Sequence, residues 1–212
     1  MESITVHTFG DSHASGLHSH WGRISLPNII IKTNDIGGRL MYTFGKQKFD
    51  VLNIKKYDVK EGDIVIFCFG EIDCRNHVHK HITEDLSFQQ IIDNLVHYYF
   101  EAIEQNVKQY TNISTCVYNV VPPIPKMTLE AGHTFPFLGT DNERKLYTEY
   151  MNKKIKEFCE KFNYFYFDIY HESSNEEKFL RYELSDRGPH LKKSEYSPIV
   201  LKNLIDKVKS KQ

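Results

Sequence analysis

The chain has no run of about 18 apolar residues, the least a membrane-crossing helix needs, and no C-x-x-C pair of the kind that holds zinc. Its formal net charge is only -1, with Lys and Glu mixed along its length, so the basic stripe of a nucleic-acid-binding protein is missing. It lacks the charged and then apolar opening of a secretory signal, since an apolar run begins at Ile4. Internal repeats, low-complexity tracts and linker-like stretches are absent as well. These shortages point away from membranes, nucleic acid and export, and toward a cytoplasmic protein. The cysteines Cys68, Cys74, Cys116 and Cys159 are scattered, and read as reduced, mostly buried thiols.

What remains is enough chain for one domain spanning residues 1–212, with a substantial core. Histidine is plentiful, and His77-Val78-His79-Lys80-His81 sets imidazoles at period two, on one face if the segment is extended. No acidic or cysteine ligand completes a metal set at close spacing. The expectation is a solvated loop face, with neither metal nor other cofactor.

Four nearly continuous apolar runs read as strands: Ile4 to Phe9, Ile64 to Phe69, Thr115 to Val121 and Tyr164 to Ile169. Continuous runs mark parallel strands buried on both faces. A fifth, weaker strand is expected at Ile29 to Lys32 or at Asp50 to Ile54. Between them, Ser87 and Gln90 form a capping-box pattern ahead of apolar residues from Ile91 to Val107. Thr140 and Glu143 repeat it ahead of the stripe Tyr147, Met151, Ile155, Phe158 and Phe162. A last helix is expected to open at Ser197-Pro198, ahead of a frayed end over Lys207 to Gln212. Strands alternating with helices predict a three-layer α/β/α sandwich around a mostly parallel sheet of about five strands. Two long connections, Gly70 to Leu86 and Pro122 to Gly139, read as functional rims or lids.

The densest chemical signal is Phe9-Gly10-Asp11-Ser12-His13, at the end of the first strand. Open α/β sheets keep their ligand crevice at the carboxyl edge, so Ser12 is a candidate nucleophile; alternatively it caps a turn. A serine needs a base, and the base needs an orienting group. Leu184-Ser185-Asp186-Arg187-Gly188-Pro189-His190 supplies Asp186 and His190 on one loop, although a turn-forming aspartate and a surface histidine would leave the same letters.

Together these blocks resemble the SGNH, or GDSL, hydrolase family. That resemblance implies a flavodoxin-like sandwich, a Ser12, His190 and Asp186 triad, and an oxyanion hole. The hole would draw on the Ser12 N–H, a glycine N–H from a second block and an asparagine side chain from a third. Gly37-Gly38 fits the second block, which implicates Gly38. Gly70-Glu71-Ile72-Asp73 fits the third block in position, with Asp73 at its aspartate but Ile72 standing where the family asparagine belongs. Losing one such donor costs about 2.7 to 4 kcal/mol. Arg75 or Asn76, next along, is the expected replacement, Arg75 first because a guanidinium offers several donors and a fixed charge; an ion pair of Arg75 with Asp73 is the alternative. Asp186 and His190 are one residue further apart than is usual in the family. Either the Arg187-Gly188-Pro189 turn absorbs the extra residue, or a backbone carbonyl orients the imidazole.

The implied activity is that of a serine esterase or deacylase without a cofactor. Trp21, His18, His20, His133 and Lys126 read as a polar and aromatic rim, suited to a small-molecule or glycan ester such as an O-acetylated carbohydrate. A sugar O-acyltransferase and a catalytically weak glycan-binding relative are the alternatives.

Overall fold

The computed structural model describes residues 3–126 and 136–210. Five parallel strands, β1 (Ile4–Gly10), β2 (Ile29–Asp35), β3 (Ile64–Cys68), β4 (Ser114–Tyr118) and β5 (Phe165–Phe167), form one sheet in the order β2-β1-β3-β4-β5. This is the flavodoxin-like order, in which the chain reverses direction across the sheet between β1 and β3 and opens a crevice at their carboxyl ends. The sequence left two places for the weak strand, and Ile29–Asp35 takes it at the sheet edge. The rival segment instead forms 3-10 turns at Lys48–Asp50 and Ile54–Lys56. There the Asn53 side chain caps its own turn and Asn106 Oδ1 accepts from Ile54 N–H, so these amides are spent locally.

Strand β3 is buried along its whole length, and its alternate residues part the core in two. Val65 and Phe67 face α1 (Met41–Gln47), α3 (Phe88–Val107) and α4 (Asp141–Phe162). Ile64, Ile66 and Cys68 face α6 (Tyr196–Lys209) and Trp21. Both capping boxes form, Ser87 with Gln90 at α3 and Thr140 with Glu143 at α4, each stabilising its helix by about 1 kcal/mol. Helix α6 begins at Tyr196 and continues through Lys209, with Val208 packed on the sheet, so the polar end is helical further than composition suggests. All four cysteines are buried and unpaired, and burial pushes their thiols upward, Cys159 to about 12. Among the described residues no helix is long and apolar enough to cross a membrane.

The Gly70 to Leu86 connection is not a loop. Residues 71–81 are helical: a π turn over Asp73–His77 runs into α2 (Val78–His81). Gly70 makes this entry possible with φ +116, and a Cβ there would meet Val120, Met41 and Met151 at 3.0 Å or less. The second long connection has no strand or α-helix among its described residues, and residues 127–135 lie outside them.

Gly10 lets β1 and β3 approach closely at the carboxyl edge, where a Cβ would lie 1.8 Å from the Cys68 carbonyl oxygen of β3. Gly10→Ala is therefore expected to force β1 from β3 and to lower stability by about 3 kcal/mol, the upper end of overpacking costs. Urea unfolding measures it, and an unchanged midpoint would contradict this account of the strand contact.

Candidate active site

Ser12 opens the 3-10 turn Ser12–Ala14 directly after β1. Asp11 caps that turn, Oδ1 accepting from His13 N–H at 2.9 Å, and Asp11 N–H donates to Cys68 O at 3.3 Å. The loop before α6 brings the second half. Asp186 N–H donates to His190 O at 3.2 Å, and Asp186 Oδ1 accepts from the N–H groups of Gly188 and His190 at 2.9 and 3.3 Å. Arg187 sits in the left-handed region with φ +66, which takes up the extra residue within the turn.

The three candidate triad residues meet. His190 Nδ1 lies 2.6 Å from Asp186 Oδ2, and His190 Nε2 lies 2.7 Å from Ser12 Oγ. A carboxylate only accepts, so Nδ1 carries the proton and Nε2 accepts from the Ser12 hydroxyl. Burial works to raise the Asp186 carboxyl, but the His190 hydrogen bond and charge, with the loop amides, hold it below the usual carboxylate range. An ionised Asp186 in turn fixes the ring orientation.

Around this set the sequence-derived residues fall differently. Gly38 is exposed in the turn after β2, beside β1, and its N–H has no acceptor among the described residues; the same holds for Ser12 N–H. Asp73 does not line the crevice. It is fully buried, and its carboxylate accepts from Met41 and Tyr42 N–H at 2.6 and 3.1 Å, so it caps α1 and ties the second block to the third. Burial pushes its carboxyl up to about 7. Ile72 is buried. The Arg75 partner is Glu71, one turn earlier, at 2.9 Å, and not Asp73; its guanidinium also stacks on Phe137 at 4.8 Å from the ring centre. Arg75 is thus already engaged by a buried carboxylate. Asn76 is half-buried on the same π turn.

The expected rim needs correction. Trp21 and His20 are each 1 % exposed and belong to the core between Tyr118 and Phe167, where burial, followed by the charge of His13, lowers His20 to about 3. Large aromatic area is more stably placed in the core than at a wet rim. His18 is exposed, its ring 5.6 Å from that of His190, and Lys126 is exposed. His133 lies outside the described residues. The His77, His79 and His81 set is helical and not extended, so His77 and His81 face each other at 4.4 Å while His79 turns to the Tyr147 hydroxyl at 3.2 Å. Among the described residues no three His, Cys, Asp or Glu side chains gather as a metal site.

Sequence reasoning gave no role to His13. Its ring is buried against His190 at 4.9 Å between centroids, with Nδ1 3.0 Å from Asp11 Oδ1 and Nε2 3.2 Å from Pro189 O. Its position directly after the candidate nucleophile was the available signal.

No protein-family model and no curated protein matches this chain. Solved structures do. A GDSL-like lipase from Bacteroides thetaiotaomicron is similar over 98 % of this chain and 89 % of its own, with TM-score 0.57 and 13 % identity. A carbohydrate acetylesterase from Sinorhizobium meliloti is similar over 99 % of this chain and 100 % of its own, with TM-score 0.60 and 13 % identity. A member of the lipolytic G-D-S-L family from Veillonella parvula gives TM-score 0.51 at 12 % identity, over 80 % of this chain and 79 % of its own. The chain has the three-layer α/β/α fold of the GDSL hydrolases.

Proposed function

We propose that this chain, built on the GDSL hydrolase fold, is a serine esterase that releases a small acyl group through an acyl-serine intermediate. The observation that carries the reading is the continuous hydrogen-bonded line from Asp186 through His190 to Ser12, at 2.6 and 2.7 Å. His190 Nε2 takes the hydroxyl proton as Ser12 Oγ attacks the ester carbonyl. The oxyanion that forms accepts from the Ser12 and Gly38 N–H groups, and His190 then passes its proton to the departing alkoxide. Water enters, gives a proton to His190 and attacks the acyl-serine, and collapse returns the proton to Ser12 and frees the acid.

Ile72 brings no donor, and Arg75 serves by neutralising Glu71 next to His13. With the Ser12 and Gly38 N–H groups alone, the site lacks the side-chain donor that the family resemblance implies, at a cost in rate of roughly 100 to 1,000-fold. A small acyl group such as acetyl is supported by the likeness to the carbohydrate acetylesterase. A carbohydrate as the alcohol half is supported by the likeness to the acetylesterase and by exposed His18 and Lys126.

A fluorophosphonate probe tests the reading. It is expected to label Ser12 alone in the native protein, and label on no residue would favour a glycan-binding protein without chemistry. Supplying candidate glycans during p-nitrophenyl acetate turnover is expected to leave hydrolysis dominant. Acylated glycan as the main product would reassign the same acyl-serine to an O-acyltransferase.

A further inference from the structure

We propose that His13 is a positioning residue: a doubly protonated imidazole that pins the loop carrying His190 onto the turn carrying Ser12. The inference rests on the triad reading above and extends it to a residue outside the triad.

Both ring nitrogens of His13 face groups that can only accept. Nδ1 faces the Asp11 carboxylate at 3.0 Å and Nε2 faces the Pro189 carbonyl at 3.2 Å. Satisfying both requires two N–H donors, hence an imidazolium. The partners are not arbitrary: Asp11 precedes Ser12 in sequence and Pro189 precedes His190, so one ring spans the two halves of the catalytic pair. Its backbone is fixed in turn, because His13 O accepts from Trp21 Nε1 at 3.0 Å and His13 N–H donates to Asp11 Oδ1 at 2.9 Å.

The charge balance agrees. Asp11 is fully buried and its Oδ2 has no partner among the described residues, an arrangement that a facing cation stabilises. His13 supplies it. Groups from every neighbouring element bear on the ring: Asp11 on its own turn, Glu71 with Arg75 from the helix after β3, His20 from the next 3-10 turn, Tyr118 from β4 and His190 from the last loop. His20 stays neutral. Burial opposes a charged ring, but Asp11, Glu71 and the Pro189 carbonyl outweigh it and lift His13 to about 9.

The sign of the pH effect follows. Because the folded value lies above the ordinary histidine value of about 6.5, the clamp is complete at neutral pH and is lost as pH rises through about 9. Wild-type kcat is expected to fall along an alkaline limb near pH 9 while circular dichroism stays native. His13→Gln has one donating nitrogen for two acceptors. It is expected to lower kcat on p-nitrophenyl acetate by about 100-fold, as a misplacement of about 1 Å does, to leave KM nearly unchanged and to lack the alkaline limb. A variant with wild-type kcat and the same limb would overturn the clamp.

If His13→Gln fails to fold, nitrogen-15 NMR of the intact wild-type protein decides: both His13 ring nitrogens protonated at neutral pH support the clamp, and a neutral ring refutes it. Ser12→Ala separates the two levels. Should Ser12→Ala retain esterase activity, the triad fails while the NMR result on His13 still stands or falls alone. Should Ser12→Ala be inactive and His13→Gln be normal, only the clamp fails.

Discussion

Ser12→Ala is expected to lower kcat on p-nitrophenyl acetate by on the order of 10,000-fold, with KM little changed. In the proposed mechanism Ser12 Oγ makes the bond to carbon, and it is held 2.7 Å from the base, His190 Nε2. What remains is the weak assistance of backbone donors and ground-state binding. The expected effect is smaller than in serine hydrolases with a full oxyanion hole, because the proposed site relies on backbone donors alone. The substitution removes one hydroxyl at the mouth of the crevice and leaves the Asp11 cap untouched, so the fold should hold by circular dichroism. Activity within tenfold of wild type would remove Ser12 from the chemistry.

Asp186→Asn is expected to be nearly as severe, about 1,000 to 10,000-fold in kcat. The amide oxygen of asparagine can keep the turn by accepting from Gly188 and His190 N–H, as Asp186 Oδ1 does. Its NH2 then faces His190 Nδ1, which must accept, and the ring proton moves to Nε2. A protonated Nε2 cannot take the Ser12 proton. A loss of less than tenfold would mean that backbone suffices to orient the ring and that Asp186 only shapes the turn. The same variant carries a stability signature. The Asp186 carboxyl is held below its ordinary value, so its contribution is present above about pH 4 and is lost as pH falls through the lowered value. Urea midpoints measured from neutral pH downward should show wild type and Asp186→Asn converging in acid. A constant gap would contradict the carboxylate's role.

Why some of this was legible in sequence and some not has a physical basis. Strands β1, β3, β4 and β5 announce themselves because burial on both faces demands unbroken apolar runs, and α3 and α4 because each carries its own cap. Edge strand β2 faces solvent on part of its length, so its pattern competed with that of the Asp50 to Ile54 segment. The 71–81 helix was hidden by its π turn. Residues 71–75 are buried without a break, the charged Glu71, Asp73 and Arg75 among them, so the segment shows no apolar stripe against a polar face. Ser12, Asp186 and His190 could be read because each stands in a short turn motif with local hydrogen bonds. The partners of Asp73 and His13 could not: a buried charge is matched by whatever the fold brings near, and Met41 and Pro189 are fixed by tertiary contact, whereas Arg75 meets Glu71 one helical turn away, a pairing hidden only because the segment read as a loop. The same holds for Trp21 and His20, polar-tipped rings that the sandwich takes into its core.

The buried cysteines have a practical consequence for work on this molecule. With every thiol enclosed and raised above its ordinary value, alkylating reagents meet no thiolate in the native state. Electrophiles aimed at Ser12, the proposed nucleophile, therefore act without competition from sulfur, and the rate at which iodoacetamide consumes Cys68, Cys74, Cys116 and Cys159 becomes a clock for opening of the sheet itself.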